Sequence, residues 1–398
     1  VPRAHASVET VRVAMVTESF LPTLNGVTTS VCRVAQSLRA LGHEAVILAP
    51  GPAPATFEGV AVRGLPSVTV RQFPTGVPTP ALRRALDEFA PDVVHAASPF
   101  VLGARALQLA DRGGTPAVAI YQTDMPSYLR QHGPGPLGAG AASAAWRWIR
   151  RMHAHADLTL APSLPTLEEL RSHGIPRTDL WARGVDTGQF SRRWRDDPRT
   201  AELRRALAPG GEVLLGYVGR LAPEKEVWRL AEVATIPGTR LVVVGDGPAR
   251  ALVGARLTEA VASMPGRPNR SPVFLGRRSG DDLARAYAVL DVFVHTGTRE
   301  TFGQTLQEAA ATGLPVVAPA RGGPLDLVDH GRRGLLFDPD RPGSLHDHVD
   351  ALVGDRGWRE RLGDEAERAV RGRSWEALTA RLVGHYDTAR ASRSRVVA

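Results

Sequence analysis

Short apolar runs rich in Val, Leu and Ile recur along this chain, each bounded by Gly or Pro and separated from the next by a helix-length segment. Such runs read as strands buried on both faces, and strands that alternate with helices pair in parallel. The pattern occurs twice. The first series places strands at residues 12–17, 45–49, 93–95, 117–121, 158–161 and 180–182; the second places them at 213–217, 241–244, 273–275, 292–294, 316–318 and 335–337. Right-handed crossovers fold each series into an open sheet covered on both faces, with ligands beyond the strand carboxyl ends. The expectation is an α/β chain of two Rossmann-like, doubly wound domains facing a cleft. Between the series, residues 190–200 hold the polar run SRRWRDDPRT, too poor in apolar residues for an element, and the linker is placed there. The expected spans are 1–192, 193–372, and a closing helical segment, 373–398, that crosses back to the first domain.

The 398 residues leave room for two sizeable cores, and 43% hydrophobic with 23% charged residues is a globular composition. Cys32 is the sole cysteine, so an internal disulfide and a cysteine zinc site are both excluded. No apolar run approaches the ~18 residues that span a bilayer. Residues 1–9 lack a basic stretch followed by an apolar one, and a cytoplasmic location is expected. The net charge of +8 favours phosphates or an anionic membrane surface. The arginines are scattered, without a recognition motif, which argues against nucleic acid. Oligomeric state is not legible.

The richest stretch runs from Asp291 to Pro324, DVFVHTGTRETFGQTLQEAAATGLPVVAPARGGP. It reads as a strand ending near His295, a polar loop, then a helix beginning near Phe302 or Gly303 and stopping before Gly313. The unpaired N–H groups and positive dipole end of that helix suit a diphosphate, and Gly303 admits the phosphate close to the backbone. Leu306, Ala309, Ala310 and Gly313 form the stripe that packs on the sheet, while Gln304 and Glu308 share another face. Glu308 lies roughly 7.5 Å along the axis from Gly303, about the reach from a diphosphate to a ribose. Its carboxylate suits two vicinal hydroxyls; Glu300, in the loop before the helix, lies at the sugar end. In GRLAPEKEV, Arg220 and Lys225 are placed to grip the diphosphate and neutralise the leaving nucleotide, a task fixed cations perform in place of a divalent metal. Taken singly, each of these residues also reads as a solvated surface charge.

Asn25-Gly26 follows the first strand, and Gly26 either admits a donor phosphate or makes a tight turn; with one glycine in place of G-x-G-x-x-G, a dinucleotide cofactor is not expected. Gly245-Asp246-Gly247 is a similar turn. Gln122, Thr123 and Asp124 cluster after the strand at 117–121, facing the expected cleft. Asp281-Asp282 reads as helix N-cap chemistry and Asp338-Pro339-Asp340 as a loop, so no metal site is assigned.

Taken in order, TESFLPTLNGV, GRLAPEK, VVVGDGP, FLGRRSGDDLARAYAVLDVFVH and ETFGQTLQEAAATGLPVVAP resemble the family-four retaining glycosyltransferases of GT-B fold. Within them, AIYQTDMPSYL, LAPS, ARGVDTGQF and GRLAPEKEV look most like the actinobacterial GDP-mannose-dependent α-mannosyltransferases that act on membrane glycolipids. The resemblance implies a retaining, metal-independent hexosyltransferase with no cofactor beyond its nucleotide-sugar substrate, GDP-mannose. Glu300 and the backbone of Phe302 and Gly303 then hold the sugar, with Gln304 on the same helix. Glu308 binds ribose, Arg220 and Lys225 bind the diphosphate with Gly26 meeting it from the other domain, and guanine lies near Gly276. Many relatives have His where this chain has Gln122, which hydrogen-bonds but cannot act as a base. Asn25, Gln122, Thr123 and Asp124 are the acceptor-side residues, and the leaving phosphate takes the acceptor proton. The rival within the same scaffold is a UDP- or dTDP-sugar enzyme with a small soluble acceptor.

Residues 141–157, AAWRWIRRMHAHAD within them, mix Trp146 and Trp148 with Arg147, Arg150 and Arg151 on a helix. That composition suits a membrane interface and a lipid-linked acceptor at the inner face of the membrane. Two tryptophans packed on the sheet, with arginines in solvent, is the competing account.

Overall fold

The computed structural model describes residues 9–23, 25–70, 73–98, 100–124, 126, 136–263 and 271–397; residues 1–8, which bear on the reading of the N-terminus, and most of MPSYLRQHG lie outside them. Internal contacts divide the chain into two units: Val1–Gly184 with Trp375–Ala398, and Val185–Ser374.

Unit 1 contains β1 (Arg12–Val16), β2 (Glu44–Pro50), β3 (Thr56–Phe57), β4 (Val60–Leu65), β5 (Ser67–Val70), β6 (Phe73–Gly76), β7 (Val93–Ala96), β8 (Ala117–Ile120), β9 (Leu158–Ala161) and β10 (Thr178–Leu180). Eight of them form a sheet in the order β10-β9-β8-β7-β1-β2-β4-β3, parallel except at the β3–β4 edge. Alternate residues of β1 serve opposite cores: Val13 and Met15 pack with Leu38, Ile47 and Tyr386, while Ala14 and Val16 pack with Leu48, Leu102 and Leu107. Both faces are thus covered, as a continuous apolar run requires. The C-terminal helix, Trp375–Val397, belongs to this unit: its buried Tyr386 hydroxyl meets His95 Nδ1 at 2.7 Å, and its Leu378 carbonyl accepts the Trp181 indole N–H at 2.8 Å.

Unit 2 contains β11 (Val213–Val218), β12 (Thr239–Val244), β13 (Val273–Gly276), β14 (Val292–Val294), β15 (Val316–Pro319) and β16 (Gly334–Phe337). They form one parallel sheet in the order β13-β12-β11-β14-β15-β16. This is the doubly wound 3-2-1-4-5-6 arrangement, which reverses direction between β11 and β14; the corresponding reversal in unit 1 falls between β1 and β7. Loops leaving the carboxyl ends of those strand pairs diverge to opposite sides, and side chains brought together there can enclose a ligand.

Two expectations are corrected, and one segment was not anticipated. The strand expected at 180–182 is β10, two residues earlier: Trp181 N–H completes the ladder on the Ala161 carbonyl at 2.8 Å, and its indole then turns to the C-terminal helix. Residues 190–200 are not an element-free linker. A 3-10 helix spans Arg192–Asp196, and Pro198–Leu207 is an α-helix whose first residue is the proline and whose cap is Asp197, accepting from Arg199 N–H and Thr200 N–H at 2.9 and 3.2 Å. A proline at the first helical position starts a helix instead of breaking it. The segment β3 to β6 was not foreseen, because β4 reads VAVRGL, with Arg63 and Gly64 exposed, and β5–β6 is a short ribbon without an apolar run.

Candidate functional site

The chain that leaves β11 reaches Lys225 through Gly219, Arg220 and a short 3-10 turn, Pro223–Lys225. It is held by the turn after β12. A Cβ on Gly245 would stand 1.9 Å from the Gly219 carbonyl oxygen and one on Gly247 2.3 Å from that of Leu221, while Leu221 N–H donates to the Asp246 carbonyl at 3.0 Å. The glycines of G-D-G therefore let two loops touch.

The chain that leaves β14 comes back to the same place. Thr296 Oγ1 donates to the Lys225 carbonyl at 2.8 Å, Thr298 Oγ1 donates to the Glu226 carboxylate, and Lys225 Nζ donates to Glu300 Oε2 at 2.6 Å. The two side chains are 27% and 18% exposed, so this is a largely dry ion pair at the reversal point of the sheet. Its loop is pinned from behind by Gly322-Gly323: Gly323 N–H donates to the Glu300 carbonyl at 2.7 Å, and a Cβ on either glycine would strike the backbone of Glu300 or Phe302. Phe302 is buried, and Gly303 adopts φ 102°, which favours glycine, to open the helix Gln304–Ala311. No side chain caps that helix, and Leu306 N–H donates to the Gly303 carbonyl at 3.0 Å in its first turn. Leu306, Ala309 and Ala310 pack inward.

Glu308 Oε2 accepts the Tyr287 hydroxyl at 2.7 Å. Tyr287 is buried, and burial first, with the Glu308 charge second, keeps its phenol protonated far above the usual range. It is a functional-site candidate that reading the sequence missed, since a lone Tyr in an apolar run carries no signal. His295 was likewise passed over as the end of a strand. Its Nε2 is 3.7 Å from Glu300 Oε2, and burial lowers its pKa to about 4, Lys225 assisting and Glu300 opposing.

The Arg220 side chain is 63% exposed and lies 3.8 Å from Glu224. Gly276, φ 68°, accepts Gly245 N–H at 2.9 Å and has open space where a side chain would be. Asp281 and Asp282 occupy the first turn of the helix Gly280–Ala288 behind Ser279, in reach of Arg285, so the cap position is Ser279 and not the Asp pair. Among the described residues no His, Cys, Asp and Glu group is arranged to hold a metal ion.

In unit 1, Asn25 caps the helix Gly26–Ala40, its Oδ1 accepting from Val27 and Thr28 N–H at 3.0 and 2.9 Å. A Cβ on Gly26 would lie 3.3 Å from Arg183 NH1, which places a guanidinium beside the first residue of that helix. Arg183 NH2 donates to Gln122 Oε1 and Gln122 Nε2 donates to the Ala97 carbonyl, both at 2.6 Å. Gln122 is 7% exposed, with one amide hydrogen and one lone pair beyond these bonds. Thr123 and Asp124 follow, half-buried. Glu18, just past β1, supplies the cap that the helix Val101–Gly113 lacks: its Oε1 accepts from Leu102 and Gly103 N–H. Burial raises its pKa to about 7, opposed by those N–H groups and that of Gly76.

On the helix Pro136–His153 the two tryptophans separate. Trp146 is buried, stacked on His173 with ring centroids 3.9 Å apart, whereas Trp148 is 49% exposed beside exposed Arg147, Arg150 and Arg151.

Two doubly wound sheets of this order are the scaffold of a GT-B glycosyltransferase. Sucrose-phosphate synthase from Thermosynechococcus elongatus matches with a TM-score of 0.78 at 20% identity, over 96% of this chain and all of the other, 100%. HepE of Anabaena, crystallised with UDP and glucose, gives 0.74 at 20% identity over 95% and 99%. In sequence, residues 24–189 match the Glycosyltransferase Family 4 model and residues 199–369 the Glycosyl transferases group 1 model. A GDP-mannose-dependent alpha-mannosyltransferase of Mycobacterium tuberculosis (strain CDC 1551 / Oshkosh) is 47% identical over 96% of this chain and 98% of the relative. The sulfoquinovosyl transferase SQD2 of Arabidopsis thaliana is 32% identical over 87% and 67%. The chain belongs to glycosyltransferase family 4.

Proposed function

We propose that this chain transfers a mannosyl residue from GDP-mannose to a hydroxyl of a glycolipid, with retention at the anomeric carbon and without a metal ion. The Lys225–Glu300 pair carries the reading: an ammonium and a carboxylate share a largely dry loop junction on the segment that leads into the helix Gln304–Ala311. Transfer breaks the bond from the anomeric carbon to a phosphate oxygen and leaves extra negative charge on GDP. Lys225, Arg220 and the helix N–H groups are the fixed positive groups that stabilise it. Glu300 and the backbone of Phe302 and Gly303 hold the mannose, with Gln304 next on the helix, Glu308 takes the ribose hydroxyls, and guanine lies against the backbone near Gly276. Gly26 approaches a phosphate through its backbone, with Arg183 adding charge there. Asn25, Gln122, Thr123 and Asp124 receive the acceptor. The acceptor attacks from the face the leaving phosphate occupies, and that phosphate takes its proton.

Trp148 with Arg147, Arg150 and Arg151 forms an exposed amphipathic strip suited to an anionic lipid surface, which gives the enzyme a peripheral position on the cytoplasmic face of the membrane. No described helix is long and apolar enough to cross one. The relatives support guanosine over a uridine or thymidine donor. The test is a panel of GDP, UDP and dTDP sugars with a polar-lipid extract, products identified by mass spectrometry. A mannosylated lipid formed from GDP-mannose is expected. Products only from a UDP or dTDP sugar, on a water-soluble acceptor, would replace this reading.

A further inference from the structure

The roles given to Lys225 and Glu300 leave His295 without a task. His295 is 3% exposed, and beyond a weak contact with the Gly297 backbone neither ring nitrogen completes a hydrogen bond. An unmet buried polar group costs about 1–3 kcal/mol, so its retention in a packed interior calls for a reason. Its backbone N–H donates to the Val317 carbonyl at 2.8 Å, which fixes its place just past β14. The Nε2 atom lies 3.7 Å from Glu300 Oε2, the oxygen that also accepts Lys225 Nζ at 2.6 Å. A Cβ on Gly297 would stand in ordinary contact with both partners, 3.4 Å from His295 Nε2 and 3.6 Å from Lys225 Cα, so the imidazole and Lys225 lie on either side of this residue.

We propose that His295 is a positioning residue for Glu300: when a nucleotide diphosphate draws the Lys225 ammonium toward its phosphates, the His295 Nε2–H closes on Glu300 Oε2 and keeps that carboxylate aimed at the sugar. The inference rests on the donor-site reading above. Closure from 3.7 Å to an ordinary hydrogen bond of ~2.9 Å needs less than ~1 Å of motion. Burial holds the imidazole neutral near pH 7. It therefore has one N–H to give and adds no charge that would repel the Lys225 ammonium or attract the phosphates in its place.

The test compares His295→Phe, which keeps a ring and removes the donor, with His295→Gln, which keeps an N–H of similar reach. Full-length variants are assayed for kcat and KM with GDP-mannose and a polar-lipid extract, and for affinity toward GDP alone by calorimetry. His295→Phe should lower kcat about 10- to 100-fold. Its GDP affinity should stay within about twofold, because GDP lacks the sugar that Glu300 holds, and His295→Gln should regain at least about fivefold of the lost rate. If His295→Phe does not fold, His295→Asn, too short to reach Glu300, replaces it with the same expectation. Wild-type kcat in the donorless variant, or GDP affinity falling in step with kcat in both variants, overturns the proposal. Lys225→Ala and Glu300→Gln run alongside: if both keep full rate the donor-site reading fails, and if both collapse while the donorless variant does not, only the role of His295 falls.

Discussion

Replacing Lys225 with alanine removes the ammonium that sits 2.6 Å from Glu300 at the sheet reversal. Two unit charges ~4 Å apart interact by about 4 kcal/mol at an effective dielectric of ~20. Bond breaking adds roughly one unit of charge to the departing nucleotide, so that figure is the ceiling on what Lys225 contributes to the transition state. Shared with Arg220 and the helix terminus, the contribution is about 3 kcal/mol, or at least ~100-fold in kcat. A second effect must be separated from this one. Without Lys225 the Glu300 carboxylate, 18% exposed, loses this cation, which lowers stability by up to ~3 kcal/mol. The double variant Lys225→Ala/Glu300→Gln removes that charge, so it should recover melting temperature and recover no rate. The assay is GDP release from GDP-mannose with lipid extract, beside thermal melts of wild type, single and double variants. A single variant within fivefold of wild-type kcat, or a double variant whose rate rises with its stability, would refute the assignment of Lys225 to the leaving group.

Tyr287→Phe deletes the hydroxyl that Glu308 accepts at 2.7 Å and should raise KM for GDP-mannose about tenfold with kcat within threefold; 2′- and 3′-deoxy donors, compared in both proteins, check that the loss is felt at the ribose. Glu18 has its folded-state pKa raised to about 7 from 4.5, so its contribution to stability is complete below pH ~4.5 and is lost as pH rises through ~7. Glu18→Gln should remove that decline, on the order of 3 kcal/mol at most, from denaturation midpoints measured between pH 4.5 and 8. Arg150→Glu with Arg151→Glu should weaken sedimentation with anionic liposomes and spare GDP affinity; unchanged sedimentation would separate this helix from the membrane. Chelation by EDTA should leave the transfer rate within about twofold, since fixed cations carry the leaving-group charge.

The two-domain α/β organisation was legible because strands buried on both faces must be apolar throughout, and eleven of the twelve runs picked out between 12 and 337 lie within or one residue beyond an observed strand. Elements whose stability comes from neighbours were not. The strand β4, VAVRGL, next to the edge strand β3, is interrupted by Arg63 and Gly64, and β10 stops where Trp181 finds the C-terminal helix, a partner almost two hundred residues away in sequence. The helix after Gly303 was foreseen within a residue or two, because a glycine at positive φ and a small-residue stripe are local facts.

The chemical types at the site belong to the sequence: acid, base and glycine stand at fixed offsets after particular strands, and order along the chain dictates which strand ends carry them. Pairing is another matter. Lys225 and Glu300 are 75 residues apart, and their contact exists because β11 and β14 are neighbours at the point where the strand order reverses. The same holds for Arg183 on Gln122 and for Tyr287 on Glu308, and for the separation of buried Trp146 from exposed Trp148. A one-dimensional pattern fixes which residues face a core, whereas the distance between two polar groups depends on crossovers and packing summed over the whole sheet, and only the folded chain has settled that sum.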